Sequence, residues 1–151
     1  MKAYQKKGFI ILITAILSVS SLAQTPIGNW KRTSMIVEDA QGKKSDVHKM
    51  MIQQMPCTEN IIYNFLANGK LIHKVTDCAA AIKKSIEIAA QKSTWVMKGN
   101  IMYTSYEGDK TLNTKCTVTY SGNKMIMKYN YEPGDYNPAK SKSLTVVNQR
   151  I

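Results

Sequence analysis

A length of 151 residues leaves room for one domain, and 21 Lys and Arg against 10 Asp and Glu make it strongly basic, with a net charge of +11. The two histidines, His48 and His73, lie in unlike contexts without cysteine or carboxylate at metal-ligand spacing, so zinc or haem chemistry is not expected. With no Gly-x-Ser-x-Gly elbow, phosphate loop or paired carboxylates, the sequence nominates no catalytic residue, no metal and no cofactor.

The chain opens with Lys2, Lys6 and Lys7, an apolar run from Phe9 to Leu17, then Ser21-Leu22-Ala23 before Gln24. That order predicts an export signal. The apolar run is too short to span a bilayer, and Ser21 and Ala23 stand where a signal peptidase reads small residues, so cleavage is expected after Ala23. No cysteine follows the cut, which disfavours a lipid anchor; the product should be exported, periplasmic or secreted, away from nucleoside triphosphates and nicotinamides. Residues 24–151 form one domain of 128 residues with 18 basic and 10 acidic side chains, a charge of +8. A domain of that size buries about two thirds of its unfolded surface. Lys31, Lys70, Lys74, Lys115, Lys124 and Lys128 alternate with apolar residues instead of clustering. A solvated barrel exterior is the favoured reading, with no nucleic-acid partner; an anionic polymer or lipid headgroup surface is the weaker one.

From Asn29 onward, short runs rich in Val, Ile, Thr, Tyr and Met are punctuated by Asn68-Gly69, Gly99-Asn100, Gly108-Asp109 and Gly122-Asn123. This predicts an all-β antiparallel domain of eight strands, over 29–37, 60–66, 70–76, 92–98, 101–106, 111–120, 124–131 and 143–150. Residues 46–56 and 79–90 break the rhythm with helix-forming composition, although 85–89 could equally extend the next strand. The acids Glu38, Asp39, Glu107, Asp109 and Asp135 fall in predicted turns.

Loop lengths set the expected register. A three-residue loop at Ala67-Asn68-Gly69 pairs Phe65 with Leu71, Tyr63 with His73 and Ile61 with Val75. A three-residue loop at Lys98-Gly99-Asn100 pairs Met97 with Ile101 and Trp95 with Tyr103, preferred over the two-residue alternative that sets Met97 against Met102. Continuing this face places Tyr103 opposite Thr114, Ile101 opposite Cys116, Val118 opposite Met127 and Tyr120 opposite Met125. Three cysteines in an oxidising compartment imply one bridge and one thiol. Cys57 and Cys78 flank the hairpin and are the favoured pair, provided at least one lies outside the regular ladder; Cys116 reads as a buried small hydrophobe.

The inner face so derived carries Tyr63, His73, Trp95, Met97, Tyr103, Met125, Met127, Tyr129 and Tyr131. Adaptable methionines and amphipathic tyrosines suit an apolar or amphipathic ligand, and all but Tyr131 are taken as ligand-binding candidates. The same residues could instead fill the barrel. His73 could be either a satisfied core histidine or a polar anchor, and no inward cationic cluster is expected.

Eight antiparallel strands with Gly28-Asn29-Trp30 at the head of the first, Pro56-Cys57, Phe65 with Asn68-Gly69, Cys78, Thr94-Trp95 and Gly99-Asn100 resemble the short exported lipocalin-like proteins of bacteria. The resemblance implies an eight-stranded up-and-down barrel closed at one end by Trp30, with Arg150 across the indole, Gly28 and both partners being structural. It departs from larger lipocalins in lacking a helical pattern over Glu132–Lys142 and in stopping at Ile151. The expected function is non-catalytic binding of a small apolar or amphipathic molecule by a monomer not inserted in a membrane. A solid barrel acting through the Asp39–Met55 and Glu132–Lys142 loops as a protein-interaction module is the first alternative. An enzyme using His73 is a more remote one.

Overall fold

The computed structural model describes residues 24–135, 137 and 140–151; the export signal read over 1–23 lies outside them. Strand β1 (Gly28–Glu38) is followed by β2 (Lys44–Asp46), helix α1 (Val47–Gln54), a 3-10 turn (Pro56–Asn60), β3 (Ile62–Phe65), β4 (Leu71–Lys74) and helix α2 (Ala80–Gln91). Then come β5 (Ser93–Lys98), β6 (Ile101–Tyr106), a second 3-10 turn (Lys110–Leu112), β7 (Thr114–Ser121), β8 (Lys124–Asn130) and β9 (Ser143–Arg150). The sheet runs β4-β3-β1-β9-β8-β7-β6-β5, antiparallel throughout, with β2 added to the far end of β1. The expected eight-stranded up-and-down barrel is therefore the fold, nearly closed. Its seam lies between β4 and β5, joined by a Lys70–Thr94 bridge and by the Trp95 N–H donating to the Gly69 carbonyl at 2.7 Å.

Both irregular stretches are helices. Asp46 caps α1, its carboxylate accepting the His48 and Lys49 N–H groups at 3.1 and 3.3 Å. The 85–89 stretch belongs to α2, and the following strand starts only at Ser93. Cys57, in the 3-10 turn after α1, is bridged to Cys78, just before α2, with Cα atoms 5.1 Å apart. Neither cysteine is in a strand, which removes the parity conflict between them. Cys116 is free and buried, and burial pushes its thiol up to about 11, so it is an inert core residue. Among the described residues, no helix is long and apolar enough to cross a membrane.

Two of the expected strand pairings hold in register and two do not. Phe65 faces Leu71 and Tyr63 faces His73; Val118 faces Met127 and Tyr120 faces Met125. Between β5 and β6 the loop has two residues, pairing Lys98 with Ile101, Met97 with Met102 and Trp95 with Thr104. Gly99 explains it: at φ +60° it occupies the first central position of a two-residue turn, where glycine supplies the positive φ. The slip carries into the next pairing, so Cys116 faces Met102, not Ile101, and Tyr103 faces Lys115, not Thr114. Residues 110–112 form a 3-10 turn, and β7 starts at Thr114 rather than 111. Consequently Met102 is inside, 0% exposed, while Tyr103 is outside, 39% exposed, beside the Lys98 ammonium at 5.5 Å. The core joins Trp30, Phe65, Met102, Val118, Met125 and Met127.

Candidate ligand-binding site

One end of the barrel is sealed by residues far apart in sequence. Alternation turns Trp30 inward on β1 and Arg150 inward on β9, where the two are direct cross-strand partners. The Arg150 guanidinium lies 4.4 Å from the Trp30 ring centroid, and its two terminal nitrogens donate to the Ile27 and Thr25 carbonyls at 3.1 and 2.8 Å. The Trp30 indole N–H donates to the Pro26 carbonyl at 2.6 Å. Gly28 is needed for two reasons: its φ of +127° disfavours any side chain, and a Cβ there would approach Arg150 Nη1 to 3.2 Å. Stack, fork and glycine thus form one packed plug in which the indole N–H and both terminal guanidinium nitrogens have carbonyl acceptors.

Beyond the plug the barrel is not filled. A cavity of about 230 Å³ lies among Tyr63 on β3, His73 on β4, Thr104 on β6, Met127 and Tyr129 on β8, and Val146 and Asn148 on β9. Arg32 and Tyr63, which line this cavity, also line a larger apolar groove of about 530 Å³. Met51 and Met55 line one side of that groove and Ala81, Ile82 and Ile86 of α2 the other. A third depression, about 350 Å³, adjoins the interior at Thr104, Ser105 and Tyr129 and runs outward past Tyr103 and Lys115.

Of the eight nominated ligand-binding residues, the structure brings Tyr63, His73, Met127 and Tyr129 together around the interior cavity. Trp95 and Met97 pack against the core instead, Trp95 edge-on to Phe65 at 5.7 Å with its indole N–H donating to the Lys70 carbonyl at 3.1 Å. Met125 is fully buried in packed core and lines no cavity described here. Tyr103 is on the other side of the sheet, displaced by the one-residue slip of β6, and borders depressions of the outer face instead of the interior cavity. Tyr131 follows the end of β8 and lines the same outer depression.

The residue that sequence reasoning missed is Arg32. Simple alternation from Trp30 puts it inside, opposite the buried Asn148. A bulge then follows: register passes from Arg32–Asn148 to Ser34–Val147, leaving Thr33 as the extra residue. The inward parity switches there, so Met35 and Val37 continue the inner face opposite Val146 and Leu144. The Arg32 guanidinium lies 4.7 Å from the centroid of the Tyr63 ring, whose edge contact with His73 spans 4.8 Å.

Burial and this cation shape the local acid–base chemistry. Burial first and Arg32 second lower His73 from 6.5 to about 4, and the same two causes, in that order, lower His48 against the opposing pull of Asp46 and Glu59. Both imidazoles are neutral at pH 7. Burial raises Tyr63 and Tyr129, so both keep their hydroxyl protons as potential donors.

His73 predicts a pH dependence of stability. Its folded pKa lies below its unfolded value, so the neutral ring contributes fully above pH 6.5, and that contribution falls as pH drops towards about 4. The loss by pH 4.5 should be about 2 kcal/mol. Urea melts at pH 7.5 and 4.5 should show a larger acid loss in the native protein than in His73→Gln, in which this proton is absent. Equal acid losses in the two proteins would refute the assignment.

No protein-family model, curated protein or solved structure matches this chain.

Proposed function

We propose that this protein is an exported lipocalin-like binder that holds a small apolar or amphipathic molecule in its barrel and performs no chemistry on it. The observation that carries this reading is the helix-flanked apolar groove, which shares Arg32 and Tyr63 as walls with the interior cavity. The interior space alone is small, whereas the groove falls within the ~300–1,000 Å³ typical of small-molecule sites. Four of its walls are Met51, Met55, Ile82 and Ile86, flexible or branched apolar side chains that can adapt to a chain-like guest. A plugged end and an open, apolar flank suit storage or carriage. The chemistry of the interior supports binding over catalysis, because His73 near pKa 4 is a weak base at neutral pH.

The neutral fluorophore N-phenyl-1-naphthylamine should bind saturably, with an affinity nearly the same at about 50 and about 500 mM salt, since no counterions are released. Ser85→Trp, on an exposed helical position lining the groove, should weaken that binding by about tenfold or more, equivalent to roughly 1.4 kcal/mol, without lowering the melting point. Tyr103→Ala, on the opposite side of the sheet from the interior, should leave it unchanged. A folded protein that takes up no probe would favour the solid interaction module. A steep fall in ligand affinity with salt would point to the basic exterior.

A further inference from the structure

The geometry points to a ligand with a singly charged carboxylate head seated on Arg32, which lines both the interior cavity and the groove, its hydrocarbon tail lying in the groove lined by α1 and α2. This rests on the proposed binding function and names the class of molecule bound. Its starting point is an arginine that faces into the barrel without a counter-ion. None of the three ion pairs among the described residues, Lys83–Glu87, Lys115–Glu132 and Lys142–Glu38, involves it. Its Nε is buried with no hydrogen-bond partner, and the face of Tyr63 lies beside the guanidinium. A second partnerless buried nitrogen, His48 Nε2, belongs to α1, and His48 is 5% exposed.

An unpaired guanidinium in a partly dry cavity is costly, because an aromatic face replaces only part of its hydration. An anion arriving with the ligand offsets that cost. A guanidinium presents parallel N–H donors that fit the two oxygens of a carboxylate, and the match gains strength where water is scarce. Stoichiometry favours one negative charge. His73, the other basic side chain lining the interior cavity, is neutral at pH 7, so a doubly charged head such as a phosphate monoester would leave one charge without a partner there. The Tyr63 ring beneath the guanidinium holds it in place, and Tyr129 lines the same cavity. From Arg32 the groove continues past Met51, Met55, Ile82 and Ile86 and exposes little polar surface, which suits an alkyl chain.

Displacement of N-phenyl-1-naphthylamine by dodecanoate and by dodecanol at pH 7.5 separates head from tail, since the two share a chain length. Dodecanoate should displace the probe at about tenfold or more lower concentration, as expected for a charged hydrogen-bonded pair. Arg32→Met should bring the two competitors to parity. Arg32→Lys, which keeps the charge but not the fork, should retain only part of the preference. Should Arg32→Met fail to fold, the wild-type ratio and Arg32→Lys decide. Equal competition in the wild type, an undiminished preference in Arg32→Met, or one undiminished in Arg32→Lys would overturn the proposal. If the probe binds while the two amphiphiles compete equally, the carboxylate assignment alone falls and the cavity stands. If the folded protein binds neither probe nor competitor, the cavity reading fails and this one with it.

Discussion

Trp30→Ala should lower the unfolding free energy by about 3 to 5 kcal/mol, the range for emptying a large, fully buried aromatic site. Trp30 is 1% exposed and touches the core on one side and the Arg150 guanidinium on the other. Truncation would remove the surface on which that cation stacks, and would leave the Pro26 carbonyl without its 2.6 Å donor. The cavity cannot collapse easily, because β1 is held between β3 and β9 on both edges. The informative comparison is Met127→Ala. Met127 is also buried, at 5% exposed, but it borders existing empty space, so its loss should cost about 2 kcal/mol, the lower end for methionine truncation. Urea melts of both variants test the difference. A nearly neutral Trp30→Ala would show that the glycine, tryptophan and arginine do not act as a plug.

The parts of this architecture legible in the sequence are those in which local chemistry decides the outcome. Asn68-Gly69 and Gly122-Asn123 set their hairpins correctly, and from them followed the Tyr63–His73 and Val118–Met127 pairings. At Gly99-Asn100 two loop lengths both placed apolar residues opposite one another, since Met97, Ile101, Met102 and Tyr103 are all apolar or aromatic. Hydrophobic pattern could not choose between them; the positive φ of Gly99 does. The error then propagated, because a slip of one residue inverts a whole strand, and Tyr103 replaced Met102 as the inferred inner residue. Arg32 was hidden for a different reason. The bulge at Thr33 changes the inward parity from Trp30 and Arg32 to Met35 and Val37, so no single alternating pattern describes β1. Nor does a charged residue register as inward when burial is inferred from apolar character. The groove was illegible for a third reason: it depends on how α1 and α2 sit against the barrel, and neither helix's composition encodes that placement.

Replacing both Cys57 and Cys78 with alanine should lower stability by about 3 kcal/mol in the chain-entropy account, because the bridge closes a loop across a sequence separation of 21 residues. Where the loss falls matters more than its size. The bridge joins the turn after α1 to the residues just before α2, the two elements that flank the groove. Other ties there are slight: Asn60 donates to the Asp77 carboxylate at 3.3 Å in an exposed setting, and Ala90, at the far end, is the buried residue of α2. Little apolar burial therefore holds the first turns of α2 once the bridge is gone, and they should open at a lower free energy than the strands. Hydrogen exchange in the double variant should rise first over residues 80–86 while β7, β8 and β9 remain protected. Probe affinity should fall with it, since Ile82 and Ile86 form one wall of the groove. An unchanged melting midpoint, or faster exchange spread evenly through the barrel with α2 no worse affected, would show that the bridge does not serve to position the groove.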